Sequence, residues 1–95
     1  MEAVLKMEEL IQLEEYATYM LSVKEIAFIL GLPVAELHAL VTDETTIEYN
    51  HFTRGRIKAK ASINKSIYDL ALNGNSTSQA QFLDLIKKAD LLDGV

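Results

Sequence analysis

There is no cysteine in these 95 residues, so neither a disulfide framework nor a thiolate metal site can be built. That absence fits a chain kept in a reducing compartment. No apolar run approaches the roughly 20 residues that a bilayer span needs. The start, MEAVLKMEEL, is acidic and lacks the basic-then-apolar layout of a signal peptide. A soluble, cytoplasmic protein is expected. Proline occurs once and glycine four times, and no run alternates apolar with polar residues, which leaves little room for strands.

Catalytic patterns are missing too. Without GxxxxGK[ST], nothing cradles a triphosphate. The two histidines, His38 and His51, stand thirteen apart with no HExxH around them, which argues against a metal site. Glu8, Glu9, Glu14 and Glu15 read as solvated helix acids, since nothing apolar surrounds them to raise a pKa. The tyrosines and phenylalanines read as core and interface fillers. No enzyme, cofactor or metal is expected.

What the chain does have is a segregated charge pattern. The net charge of −5 repels phosphate on average. Residues 2–25 hold six acids and two bases, and residues 26–50 hold four acids and no base. Residues 51–66 then carry five bases (Arg54, Arg56, Lys58, Lys60 and Lys65) and no acid. This window is the one plausible polyanion site, although such a block also suits a solvated helix face.

An all-α single domain is predicted over residues 1–95, with a first helix in 1–21, a helix-turn-helix in 22–42, a long basic helix in 43–74 and a C-terminal helix and tail in 75–95. The first helix, 3–20, should bury Met7, Leu10, Leu13, Ala17 and Met20, which recur at three and four. S-V-K-E at 22–25 is a capping box that starts the second helix, and Gly31 ends it. Pro33 suits the first turn of the third, which runs to about Val41. Asp43 is a plausible cap for the fourth, which runs to about Asn73 with Gly55 marking a kink or a close approach. Gly74 closes that helix, and Ser76-x-x-Gln79 caps a fifth that ends near Ala89, leaving Leu91 and Leu92 in a tail that frays or docks.

Within residues 22–42, Ile26, Leu30, Leu32, Leu37 and Leu40 fall where two steeply crossing helices need a small core. Ala27 is small where the helices approach, and Gly31 makes the turn. An ordinary helical hairpin joined by Gly-Leu-Pro is the alternative. Removing the core positions leaves Val34, Ala35, Glu36, His38 and Ala39 on the outer face. Val34 and Ala35 could touch a thymine methyl, Glu36 could accept from cytosine, and His38 could donate to a phosphate or guanine. This is a poor kit for reading bases, and the same apolar patch suits a protein partner.

On a helical wheel His51, Arg54, Lys58 and Lys65 cluster within roughly 60°, opposite Phe52, Ala59, Ile63 and Leu70. Arg56 and Lys60 flank the apolar stripe, where their stems can pack while their heads reach solvent. Such a face would make sequence-tolerant, salt-dependent phosphate contacts. Alternatively, its bases pair with the acidic first helix, in the same chain or in a neighbour.

The helix-turn-helix, then F-T-R-G-R-I-K-A-K at 52–60, then S-I-Y-D-L-A-L-N-G-N-S at 66–76 and a short amphipathic helix, together resemble the small terminase subunits of tailed phages and prophages. The resemblance covers about residues 22–90. It implies a non-enzymatic oligomer that binds duplex DNA in the bacterial host cell and presents it to the terminase large subunit, an ATP-driven motor. Carried over by position, Val34, Glu36 and His38 would face DNA, with Arg54, Arg56, Lys58 and Lys60 as the basic patch. The third helix departs from the pattern in its lack of DNA-contacting side chains. No oligomerisation segment follows residue 90, so assembly would use the first helix or the 63–92 hairpin. Two other functions stay open: a helix-turn-helix transcription regulator, and a protein-interaction adaptor that no longer binds DNA.

Overall fold

The computed structural model describes residues 4–94, which form α1 (Met7–Thr18), α2 (Val23–Leu30), α3 (Val34–Thr42), α4 (Ile47–Leu72) and α5 (Ser76–Asp93), with no strand among them. They divide into two compact units, one ending at Ala59 and the other starting at Lys60. No helix among them is long and apolar enough to cross a membrane.

In the first unit the core gathers Leu5, Leu10, Leu13, Ile26, Ala27, Leu37 and Val41. Of the expected α1 stripe, Leu10, Leu13 and Ala17 are buried, but Met7 and Met20 are exposed. Both lie where the helix is not what the periodicity suggests. Residues 4–6 are non-helical: the buried carboxylate of Glu48, on α4, accepts from the N–H groups of Val4 and Leu5 at 3.0 and 3.2 Å and turns Leu5 into the core. Residue 3 of the expected helix lies outside the described residues. Met20 sits beyond the other end with φ 62°, a left-handed conformation that an L side chain adopts at a cost of about 1–2 kcal/mol.

The α2–α3 turn forms as its residues require. Ser22 Oγ accepts from Glu25 N–H at 3.1 Å while Glu25 Oε1 accepts from Ser22 N–H at 3.0 Å. Gly31, at φ 71°, ends α2 in the left-handed conformation, and Leu32 N–H reaches back to the Ala27 carbonyl at 2.8 Å. Pro33 precedes the first helical residue of α3. Ile26, Ala27 and Leu37 are fully buried, with Leu30, Leu32 and Leu40 packed at the margin.

Asp43 does not cap α4. Its carboxylate accepts from the N–H and hydroxyl of Thr45, forming a turn just after α3. Thr46 Oγ1 takes the capping role, accepting from Tyr49 N–H at 2.9 Å and donating to the Leu40 carbonyl at 2.6 Å. Gly55 marks a close approach: an added Cβ would run into the Glu14 carbonyl oxygen and lie 2.7 Å from Ala17 Cβ.

In the second unit Asn75, not Ser76, caps α5, its side chain accepting from Ser78 N–H at 2.8 Å. Gln79 donates to the Ala71 carbonyl at 3.1 Å instead of closing a capping box. The α5 helix continues through Leu91 and Leu92, both 79% exposed, so that segment does not leave the helix and does not pack on the rest of the described chain. Ile63 and Leu70, expected on the buried side of α4, are exposed; the half-buried positions here are Asn64, Ile67 and Ala71, and the Tyr68 and Phe82 rings meet at 5.1 Å. The apolar stripe thus ends at Ala59 and another face takes over.

Candidate nucleic-acid interface

Val34, Ala35, Glu36, His38 and Ala39 lie on the exposed side of α3, whose other side is held by Leu37 and Val41. The turn at Gly31 therefore presents the residues expected to face DNA. Among them Glu36 is the one carboxylate and there is no Lys or Arg.

The basic window of α4 is divided. His51, Arg54 and Lys58, spaced at i, i+3 and i+7, share one face and converge on the Glu14 carboxylate of α1. His51 Nδ1 lies 3.1 Å and an Arg54 guanidinium nitrogen 3.5 Å from Glu14 Oε1, and Lys58 Nζ pairs with Oε2. The Lys58 hydrogen bond, aided by the charges of Lys58 and Arg54 and by the His51 contact, holds the Glu14 carboxyl below its usual pKa range against partial desolvation. Pairing within the chain, the alternative that the charge pattern left open, is what these three residues adopt. Arg54 and Lys58 nevertheless keep side chains 57% exposed, against 17% for Glu14.

Arg56 points inward. Its guanidinium donates to the carbonyls of Ala17 at 2.9 Å and Leu21 at 2.5 Å, and lies 4.6 Å from the centre of the Phe52 ring. It ties the end of α1, where a cation is favoured, to the connection that leads into α2. Half-buried, its head is turned onto these carbonyls and not out into solvent as the wheel suggested. Lys60 is exposed at the start of the second unit, where Lys65 pairs with Asp69 one turn on at 2.9 Å.

Three features of the site were missed from sequence. Glu14 was one of four solvated acids, and nothing local distinguished it from Glu15. Glu48 was not singled out, yet it is 1% exposed. Phe28, taken as a filler, is 88% exposed on α2 and lines an open depression of about 500 Å³ with Leu21, Lys24, Glu25 and Ile29. Its register opposite Ile26 and Ala27 could have revealed it. Among the described residues no three His, Asp or Glu side chains are grouped to hold a metal ion. Set against family models, curated proteins and solved structures, the chain matches none.

Proposed function

We propose that the chain is a non-enzymatic, DNA-binding protein of phage small-terminase type, which binds duplex DNA in the cytoplasm of a bacterial host and presents it to the large motor subunit. The observation carrying this reading is the formed α2–Gly31–α3 turn, with the outer face of α3 exposed and Arg54 and Lys58 on the same unit. Because α3 carries no strong base reader, binding is led by phosphate contacts and tolerates sequence. The second unit supports self-association. Among its described residues no apolar side chain is buried, whereas Ile63, Leu70, Leu83 and Ile86 are exposed, and so short a helical pair usually needs oligomerisation to be stable.

The test is a fluorescence-anisotropy titration of labelled duplex at several salt concentrations, with the native chain and Arg54→Ala/Lys58→Ala. Binding that weakens steeply with salt, with a shallower slope in the variant, supports the reading. No binding by the native chain at about 50 mM salt refutes it. A second reading, a protein-interaction adaptor, is favoured by the exposed Phe28, Ile29 and Val34 on α2 and α3.

A further inference from the structure

We propose that His51, Arg54 and Lys58 form an anion site whose resident occupant is the chain's own Glu14, and that a DNA backbone phosphate binds by taking the place of the Glu14 carboxylate. The proposal rests on the DNA-binding reading and assigns the regulation of that site. Two fixed cations and an imidazole meet one carboxylate, so the cluster holds an excess of positive charge even when occupied. That excess lies within the unit that carries the chain's entire net charge of −5, which makes it the local exception to a repelling field.

The geometry suits an exchange. A carboxylate and a phosphodiester each bring one negative charge and two acceptor oxygens to the same donors. The α1 backbone at Glu14 is held against Gly55, so the exchange needs only side-chain rotation. An open depression of about 430 Å³ lies beside the cluster, lined by Ile11, Glu14, Glu15, Thr18, His51 and Lys58. The charged groups facing it are Glu14 and Glu15 from α1, and His51 and Lys58 from α4. Glu15 is engaged in part by the Tyr19 hydroxyl at 2.9 Å. Tethered in the same chain, Glu14 competes at a high effective concentration and lowers the affinity for phosphate.

The experiment compares Glu14→Gln, Glu15→Gln, and Glu14→Gln combined with Arg54→Ala/Lys58→Ala, in the same duplex titration across salt. Glu15→Gln makes the same change in net charge next to the cluster but frees no cation. Glu14→Gln is expected to bind roughly three- to tenfold tighter than the native chain at low salt, with a log–log salt slope steeper by about one. Glu15→Gln should gain clearly less, and the combined variant should lose the gain. Equal gains in Glu14→Gln and Glu15→Gln, with the native chain binding, overturn the exchange and leave the DNA reading standing. No binding by any chain overturns both. Should Glu14→Gln fail to fold by circular dichroism, the native protein still decides. His51 imidazole and Glu14 carboxylate NMR resonances that move together on titration with duplex support the exchange, and resonances that stay fixed while DNA binds refute it.

Discussion

Replacing Gly55 by alanine puts two opposing effects on one atom. In an open helix the added methyl would stabilise α4 by about 1 kcal/mol, because glycine is the poorer helix former. Here it would meet the Glu14 carbonyl oxygen and, at 2.7 Å, Ala17 Cβ. Neither is the far end of a flexible side chain, and Ala17 is fully buried. The α1–α4 contact has to open instead, which strains the Arg56 bonds to Ala17 and Leu21 as well. Overpacking typically costs about 1–3 kcal/mol, and with a backbone oxygen and a buried Cβ both in the way the upper part of that range, about 2–3 kcal/mol, applies, which outweighs the propensity gain. A net loss of about 1–2 kcal/mol corresponds to a fall in Tm on the order of 4–16 °C for a chain of this size. Thermal and urea unfolding followed by circular dichroism measure it, with Ser62→Ala at an exposed position of α4 reporting the propensity effect alone. An alanine variant as stable as the native chain, or more so, would refute the close approach.

Arg56→Ala should cost about 2 kcal/mol, since it removes two charge-assisted bonds, to the Ala17 carbonyl in the last turn of α1 and to the Leu21 carbonyl in the connection to α2. Arg56→Lys should recover only part, having no planar fork to reach both, and urea midpoints check both variants. The Glu14, Glu25 and Asp43 carboxyls are held below their usual pKa range by Lys58, by the Ser22 backbone N–H and by the Thr45 hydroxyl respectively. A lowered folded pKa contributes stability above the ordinary carboxylate range and loses it as pH falls through that range to the folded value. Tm should therefore drop on acidification from pH 7 towards ~3, and less steeply in Glu14→Gln. Leu83→Glu/Ile86→Glu should shift sedimentation towards the monomer while leaving the α2–α3 unit folded, and an unchanged sedimentation coefficient would remove the second unit from assembly.

How much could be seen in the sequence depended on whether a structural cause was local. The S-V-K-E box, Gly31 and the Leu37 register are set by neighbours within a turn or two, and they appear in the structure as expected. Gly55 was legible as an exception, but whether it marked a kink or a contact depended on α1, forty residues away. The end of α1 was not legible because Met20 takes a left-handed conformation with no glycine to announce it, beside carbonyls satisfied by Arg56. Glu14 and Glu48 behave alike: each draws its role from partners 37 to 44 residues distant, which no period of 3.6 can report. The stripe through Ile63 and Leu70 failed for another reason. A single wheel assumes one neighbour along a 26-residue helix, whereas α4 buries one face up to Ala59 and beyond it only half-covers another, at Asn64, Ile67 and Ala71.

The residue that separates the two functional readings most cleanly is Glu36, exposed in the first turn of α3. If α3 enters a groove, Glu36 lies either near phosphates, which repel it, or near a cytosine amine, which it can accept from. Glu36→Gln removes the charge while keeping an acceptor and nearly the same shape. Near phosphate, the variant should bind every duplex more tightly by a similar factor. Facing cytosine, it should lose affinity at one sequence, with each base-specific pair worth about 1–3 kcal/mol. Both outcomes place α3 on DNA. If DNA binds through α4 alone, titration of Glu36→Gln should overlay the native curve at every salt concentration. The exposed faces of α2 and α3, with Phe28 and Val34 uncovered, would then belong to a protein partner.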